Sequence, residues 1–405
     1  MKRICFSLFC LVIFFITVSC FSGEILIRDP TLLRKKLEEI RIKRKLPAVA
    51  AAIVIGDRVV VASAVGLRKW GEDIPVTRND AFELGSITKP ITGTLTAILK
   101  DQNKLDWDTT IGQIFPEMFP GHQSLYHYVT VRQLLSHTSG LPYQPTMKEA
   151  DIDAGGTTVM EQRVAYVSAA LSDKQEAIPG SAYIYSGGGI IVASMEERLT
   201  GKLWESFVNE LIFQKLKMNT AGFGPMATPP DLIDAPWYHQ LRNGKITPLS
   251  PTGDSVYCRS PVGGIHCSVI DLGRFAAFHL LGTQAKQSEG LPITQKTLRE
   301  FYTVVEIGKG KRKLYTTGGW RVQPTNWAKG PVYWHSGQSQ SRGYAIVHIV
   351  PEQNYATCVM MNIGGDEASK AGGEINMLLV EALRNANYNP SLLFSEKEKD
   401  GKGGG

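Results

Sequence analysis

Phe82-Glu83-Leu84-Gly85-Ser86-Ile87-Thr88-Lys89-Pro90 contains the only Ser-x-x-Lys of the 405-residue chain and opens an apolar run at helical spacing. A helix that begins here would place Ser86 and Lys89 on one face. Its N-terminus would supply backbone N–H groups and a positive dipole end, which suit a developing oxyanion. A serine becomes nucleophilic when a neighbouring base takes its proton, and a lysine with a lowered pKa can be that base. Because roughly one Ser-x-x-Lys is expected by chance in a chain this long, the motif needs support from other segments.

The N-terminus has the pattern of an export signal. Met1-Lys2-Arg3 is followed by an uncharged apolar block over 4–18, then by small residues and Cys20. This order is typical of a signal peptide, so residues 1–22 are predicted to be removed on export to the periplasm or the medium. Lipidation at Cys20 is the less favoured alternative, because Thr17 stands where a lipoprotein signal has an aliphatic residue. No later stretch is apolar and long enough to span a bilayer, so no transmembrane segment is predicted in the mature chain.

Cysteine content and charge argue against a disulfide-based fold and against a nucleic-acid-binding protein. Three of the six cysteines follow the leader, and this odd number does not indicate a disulfide framework. Cys258 and Cys267 either pair or remain free and buried. The formal charge of +6 includes the two basic residues of the leader, and so mild a balance does not indicate a nucleic-acid partner. No His, Cys or carboxylate grouping has metal-ligand spacing, so no metal is predicted.

Strand-like apolar runs stand at both ends of the mature chain. Residues 47–66 predict a hairpin around Gly56-Asp57, and residues 343–361 predict a second one, followed by a helix. The middle of the chain is rich in helical patterns. Strands from both ends most economically complete one antiparallel sheet. We therefore predict an α/β (α+β) fold with helices flanking this sheet, an inserted mainly helical lobe, and the active site in the cleft between them.

The predicted boundaries follow from this arrangement. The folded domain is placed at residues 28–395, and the charged, then glycine-rich, segment 396–405 is predicted to be a disordered tail. Within the domain, the α/β lobe is placed at about 28–87 plus 262–390, and the helical lobe at about 88–261.

Two further segments can meet Ser86 in such a cleft. Tyr185 stands in a glycine-rich turn before a predicted helix, where its hydroxyl can accept and donate a proton. An ordinary core or surface tyrosine explains this segment equally well. His335 stands in the aromatic strand Val332-Tyr333-Trp334-His335-Ser336-Gly337-Gln338, at a position expected to face the cleft. A lone histidine in a strand is more often structural, so His335 also depends on its setting.

Together these segments resemble the serine β-lactamase and penicillin-recognising hydrolase superfamily, in particular its class C-like branch of β-lactamases, D-stereospecific peptidases and β-lactamase-like esterases. The resemblance covers nearly the whole mature chain. Besides the nucleophile segment, it rests on Val-Thr-Val-Arg-Gln-Leu-Leu-Ser-His-Thr-Ser-Gly-Leu-Pro at 129–142, and on the stretches 106–116 and 260–275.

The resemblance implies a role for each matching residue. Ser86 would be the nucleophile, Lys89 its partner, and Tyr185 the general base and acid. The oxyanion would be held by the N–H groups of Ser86 and Gln338. The remaining predicted site residues are His335, in place of the lysine of many relatives, and the substrate contacts Gly187, Ser336 and Gly337. His137 belongs to a stretch that the family uses as a structural helix end, so it is left out of the predicted site.

Two departures from the family pattern affect the expected substrate. Tyr185-Ser186-Gly187 lacks the side-chain amide of the usual Tyr-x-Asn, and His335 replaces a permanently charged lysine. An imidazole with an ordinary pKa near 6.5 is mostly uncharged at neutral pH. Neutral esters are therefore expected to be preferred over substrates that carry a carboxylate. This preference is expected to narrow towards pH 5.5 as His335 gains a proton.

The sequence thus predicts an exported serine hydrolase that acts on a small-molecule ester, amide or peptide through an acyl-enzyme, and that needs no cofactor. An esterase is favoured; a D-Ala-type peptidase or β-lactamase and a catalytically silent binding protein on the same fold are the alternatives. The loops at 144–156 and 221–259 are expected to line the cleft and to set specificity.

Overall fold

A computed structural model describes residues 27–120, 124–226, 232–250, 257–284, 286, 290–307, 314–338 and 342–395. The predicted signal peptide and C-terminal tail lie outside these residues. The described α-helices are α1 Thr31–Lys43, α2 Thr88–Asp101, α3 Ile111–Ile114, α4 Val131–Leu135, α5 Glu149–Asp153, α6 Val159–Ser172, α7 Gly188–Thr200, α8 Trp204–Val208, α9 Ser260–Gly263, α10 Val269–Thr283, α11 Gln295–Phe301 and α12 Asp366–Asn385. None of the helices in these ranges is long and apolar enough to cross a membrane.

The described strands fall into one large sheet and two small ones. The strands are β1 Ala48–Ile55, β2 Arg58–Gly66, β3 Phe82–Glu83, β4 Gly222–Phe223, β5 Tyr238–Arg242, β6 Lys245–Leu249, β7 Ile265–Cys267, β8 Val304–Val305, β9 Leu314–Thr316, β10 Arg321–Pro324, β11 Pro331–Gln338, β12 Tyr344–Val350 and β13 Tyr355–Met361. The large sheet has the order β2-β1-β13-β12-β11-β10-β9-β8, and its strand pairs are antiparallel.

The large sheet joins the two ends of the chain. The predicted hairpins are β1–β2 and β12–β13, and β1 pairs directly with β13, from Val49 opposite Met361 to Ile55 opposite Tyr355. These strands are buried on both faces, which is why they are continuous apolar runs and do not alternate with polar residues. The predicted fold class, an antiparallel sheet from both chain ends with flanking helices, is confirmed.

Each face of this sheet carries its own hydrophobic core. On one face lie α1 and α12, whose buried side chains recur every three or four residues, as in Ile375, Leu379 and Leu383. On the other face α10 packs against the strands, and the helices of the middle of the chain complete a larger core. The three described cysteines are buried and free, so Cys258 and Cys267 do not pair.

The nucleophile segment crosses from β3 into the most deeply buried helix. Gly85–Ile87 form one turn of 3₁₀ helix, and α2 begins only at Thr88, so Ser86 precedes the α-helix that was expected to contain it. All residues of α2 from Thr88 to Leu99 are buried. Its threonine hydroxyls are satisfied within the core; that of Thr94, for example, donates to the carbonyl of Pro90 at 2.7 Å. The turn that carries Ser86 therefore stands on a helix fixed by packing on every side.

Candidate active site

Two side chains converge on the hydroxyl of Ser86. The Lys89 ammonium donates a hydrogen bond to Ser86 Oγ at 3.1 Å, and the Tyr185 hydroxyl donates to the same oxygen at 2.8 Å. Lys89 Nζ also donates to the carbonyl of Val262 at 3.0 Å, which fixes its position. Lys89 is only 6% exposed, and its Nζ lies 4.7 Å from the centre of the Tyr185 ring. The three side chains thus form one contiguous hydrogen-bonded group.

The surroundings of Tyr185 lower the pKa of its phenol. Burial alone would raise the pKa of the phenol, but the charge of the Lys89 ammonium and hydrogen bonds with Lys89 and Ser86 outweigh it. The guanidinium of Arg321, 5.9 Å from the ring centre, acts in the same direction. The net effect is a pKa below the usual phenol value of 10.0. A phenolate in this position can take the proton of Ser86.

The backbone around Tyr185 is fixed by one residue, His137. The carbonyl of His137 accepts the N–H of Ile184 at 2.9 Å, and its Nδ1 accepts the N–H of Ser186 at 3.2 Å. His137 has a left-handed backbone conformation, with φ 61°. Both of its acceptors bind the same loop, 184–186. The sequence interpretation placed this residue at a helix end, and α4 does end at Leu135. Its contact with the tyrosine loop was not predicted.

Two glycines bring together the backbone N–H groups of Ser86 and Gln338. A Cβ on Gly337 would lie 1.9 Å from the carbonyl oxygen of Leu84 and 2.7 Å from Ser86 N. Gly85, at φ +50°, faces it, and a Cβ there would lie 3.3 Å from Gln338 N. Only residues without side chains allow β11 to approach the Ser86 turn this closely. The two N–H groups expected to hold an oxyanion are therefore neighbours.

His335 does not have the position expected for it. It lies within β11 with no exposed surface, and it is not among the residues that line the cavity at Ser86. Its Nδ1 lies 3.0 Å from the carbonyl oxygen of Ser336. Burial, with smaller contributions from the positive charges of Arg321 and Lys89, lowers the pKa of His335 well below 6.5. Its burial and its absence from the cavity wall differ from the expected position facing the cleft, and its lowered pKa opposes the protonation expected near pH 5.5. The role of His335 in the site stays a prediction.

The cavity at Ser86 has a volume of about 490 Å³, within the range of small-molecule sites. Of the predicted site residues, its wall includes Ser86, Lys89, Tyr185, Gly187 and Gln338 but not His335, Ser336 or Gly337. The two predicted specificity loops contribute Gln144, Glu149, Gly224 and Arg259. Further lining residues that the sequence did not single out are Tyr143, Tyr166, Ile190 and Val262.

The charged groups at the cavity edge stand in pairs. Arg259 lies 3.3 Å from Glu149, and Arg342 lies 3.7 Å from Glu83. Each guanidinium therefore has a carboxylate beside it before any substrate enters. Across the described residues, no cluster of three or more His, Cys, Asp or Glu side chains has the arrangement of a metal site.

Comparison with known proteins places this chain among penicillin-recognising relatives and esterases. The family model described as Beta-lactamase matches residues 33–382. Penicillin-binding protein 4 of Amycolatopsis lactamdurans is 24% identical over 345 residues, which cover 82% of this chain and 84% of that protein. The esterase EstB of Burkholderia gladioli is 27% identical over 237 residues, covering 54% and 58% of the two chains.

A solved structure has the same fold. The octameric penicillin-binding protein homologue from Pyrococcus abyssi superposes with a TM-score of 0.69 at 22% identity, covering 89% of this chain and 78% of that one.

Proposed function

The chain belongs to the beta-lactamase family, and from that premise we propose that it is an exported esterase that forms an acyl-enzyme on Ser86. Membership makes it a serine hydrolase of the beta-lactamase type. The observation that carries the finer proposal is the convergence of Lys89 Nζ and Tyr185 Oη on Ser86 Oγ at the wall of a cavity.

In the acylation step Ser86 is the nucleophile, and Tyr185 and Lys89 handle its proton. Ser86 Oγ attacks the ester carbonyl carbon while its proton passes to the Tyr185 phenolate, which the Lys89 ammonium stabilises. The carbonyl oxygen becomes negative and accepts hydrogen bonds from the N–H groups of Ser86 and Gln338. When the intermediate collapses, the bond to the alcohol oxygen breaks, and the alcohol leaves with the proton held by Tyr185.

Deacylation repeats these steps with water as the nucleophile. A water molecule attacks the acyl carbon and gives one proton to the Tyr185 phenolate. The same two N–H groups hold the second oxyanion. Collapse breaks the bond to Ser86 Oγ, which takes the proton back from Tyr185 as the acid is released.

The preference for neutral esters is supported by what the cavity lacks for a carboxylate. His335 is buried and kept uncharged, and Gly187 contributes no side-chain amide. Arg259 and Arg342 already stand beside Glu149 and Glu83, so a carboxylate-bearing substrate would compete with a resident carboxylate at either place. A relative that carries the name esterase, EstB, agrees with this choice.

Labelling with a fluorescent fluorophosphonate tests the nucleophile. We expect one covalent adduct on Ser86 and none on the Ser86→Ala variant, whose turnover should fall by several orders of magnitude. An unlabelled but folded wild-type protein would favour the alternative of a catalytically silent binding protein.

A substrate panel tests the preference. At pH 8, kcat/KM for a short p-nitrophenyl ester is expected to exceed the values for a chromogenic cephalosporin and for a D-Ala-D-Ala peptide. The second candidate, a peptidase or β-lactamase, is favoured by the similarity to a penicillin-binding protein over 82% of this chain. It becomes the better assignment if the cephalosporin or the peptide is the best substrate.

The export part of the proposal rests on the leader sequence. N-terminal sequencing of protein recovered outside the cytoplasm is expected to give a start near residues 21–24. A start at Met1 would contradict export by this signal, and an acylated Cys20 would favour the lipoprotein alternative.

A further inference from the structure

Tyr166 places a hydroxyl directly beside Gly187 on the cavity wall. The residue belongs to α6 and is only 3% exposed, yet it lines the same cavity as Ser86. A Cβ on Gly187 would lie 2.0 Å from Tyr166 Oη and 3.0 Å from Cζ. The backbone of Gly187 has an ordinary negative φ of −78°, so glycine is not required there by backbone strain. It is required because the Tyr166 hydroxyl occupies the space of a side chain.

The hydroxyl is fixed in position and remains a donor. The Tyr166 ring is enclosed by the helical core, so it loses little additional freedom when a ligand binds. Burial raises the pKa of the phenol well above its usual value, which keeps the proton on the oxygen at all ordinary pH values. Gly187 is two residues from Tyr185, whose own hydroxyl is 2.8 Å from Ser86 Oγ. Tyr166, Gly187 and Ser86 line one cavity, so a ligand that fills this cavity from Ser86 to Gly187 contacts the donor.

We propose that the Tyr166 hydroxyl is a specificity-determining donor that binds an acceptor oxygen of the substrate outside the scissile carbonyl. This inference rests on the proposed esterase function and names the substrate class more closely: esters with an ether, keto or amide oxygen in the acyl chain or in the alcohol. Tyr166 and Gly187 act as a matched pair, because the absence of a side chain at 187 gives the hydroxyl access to the cavity.

The test compares esters that differ by one oxygen. One pair has p-nitrophenyl methoxyacetate and p-nitrophenyl butyrate; the other has 2-methoxyethyl and butyl esters of the same acid. For each ester, kcat/KM of the wild-type protein is divided by kcat/KM of the variant. This ratio does not depend on the intrinsic reactivity of the ester, so the two members of a pair can be compared. Tyr166→Phe is expected to lower kcat/KM for the oxygen-bearing member of at least one pair by about threefold to tenfold relative to its hydrocarbon partner, the value of one neutral hydrogen bond.

Tyr143→Phe is the matched control. Tyr143 lines the same cavity and its ring stacks on Tyr185 at 6.2 Å, but it is 65% exposed. Removal of its hydroxyl is expected to leave the discrimination within each pair unchanged. Equal effects of the two variants, or no effect of Tyr166→Phe in either pair, would overturn the proposal.

Gly187→Ala provides a second, independent variant. The added methyl group collides with Tyr166 Oη, so in the wild-type background it should abolish the preference for the oxygen-bearing ester over its hydrocarbon partner. In the Tyr166→Phe background, where this preference is already lost, it should reduce the preference no further. Additive losses in the double variant would contradict a shared mechanism. Fluorophosphonate labelling of Ser86 is followed in every variant. Labelled protein without discrimination refutes only the role of Tyr166, whereas unlabelled wild-type protein refutes the proposed function.

Discussion

The imidazole of His137 packs against the phenol ring of Tyr185, with ring centres 4.3 Å apart and the planes inclined by 36°. Burial, with smaller contributions from Lys89, His335 and Arg321, lowers the pKa of His137 well below 6.5, so the ring is neutral. A neutral ring can accept the Ser186 N–H at Nδ1 while its face supports the tyrosine. His137 therefore holds the proposed base from both the backbone and the side-chain direction without touching the reacting atoms.

This contact makes His137 a positioning residue for Tyr185. We expect His137→Ala to slow fluorophosphonate labelling of Ser86 and ester turnover by about tenfold to a hundredfold, because a small displacement of a catalytic group has a large kinetic cost. His239→Ala is the control: His239 is equally buried and contacts backbone groups of Trp70 and Asn362 instead. It should lower the melting temperature without slowing the labelling. Equal slowing in both variants would reduce the role of His137 to general stability.

The pH dependence of ester hydrolysis should report the pKa of Tyr185. Activity requires the phenolate, so kcat/KM should rise with pH through a pKa that lies below 10. Lys89→Ala removes the positive charge that stabilises the phenolate, so the rising limb should move to higher pH and the rate should fall severely. The measurement is kcat/KM for an activated ester from pH 6 to 10. Lys100→Ala, in the same helix but paired with Asp106, should leave the limb in place. A limb that does not move in Lys89→Ala would exclude this coupling.

Gly337→Ala should damage catalysis more than folding. The added methyl group would collide with the Leu84 carbonyl and Ser86 N, which forces β11 away from the Ser86 turn and separates the two oxyanion donors. Loss of one such donor costs about a hundredfold to a thousandfold in kcat. Gly373→Ala, where a Cβ meets nothing within 4 Å, controls for the substitution itself. A Gly337→Ala enzyme with wild-type kcat would disprove this oxyanion site.

His335→Lys should destabilise the protein and should not create a carboxylate-binding site. A lysine in the fully buried position would face the positive charges of Lys89 and Arg321, which already lower the pKa of His335. We expect the free energy of unfolding to fall by about 3 kcal/mol or more, as for an uncompensated buried charge. His335→Gln, which adds no charge, should cost less. Denaturant titration of both variants decides, and a stable His335→Lys protein that gains activity on a cephalosporin would restore the original expectation.

The fold was predictable where one local signal was enough. Both terminal hairpins followed from apolar runs around Gly56-Asp57 and around 351–354, and the pairing of their strands followed from economy of sheet closure. The helical periodicity of the sequence runs over 158–171 and 188–199, and these ranges agree closely with the bounds of α6 and α7. The 3₁₀ turn at Ser86 was not predicted, because periodicity does not distinguish it from the first turn of an α-helix.

The site was predictable only in part. The spacing of Ser86 and Lys89 indicated a shared face, and the family resemblance supplied Tyr185. The burial of His335 could not be inferred, because strand alternation gives two faces without saying which one meets the cleft. Tyr166 carries no local signal, and the stretch that contains His137 indicated a helix end without indicating its contact with the loop of Tyr185. A tyrosine in an apolar helix is an ordinary core residue until the backbone of Gly187 is placed against it.

The pairing of β1 with β13 also determines when the large sheet can form during synthesis of the chain. This strand pair joins segments from opposite ends of the chain, so the large sheet cannot be completed until nearly all of the polypeptide has been synthesised. Contacts so distant in sequence form slowly, since the intervening chain must lose its freedom first. Until then β1 exposes an unpaired apolar edge, which invites association with other chains. Late closure of the sheet suits the proposed export, because a chain that still lacks its last strand has not yet folded.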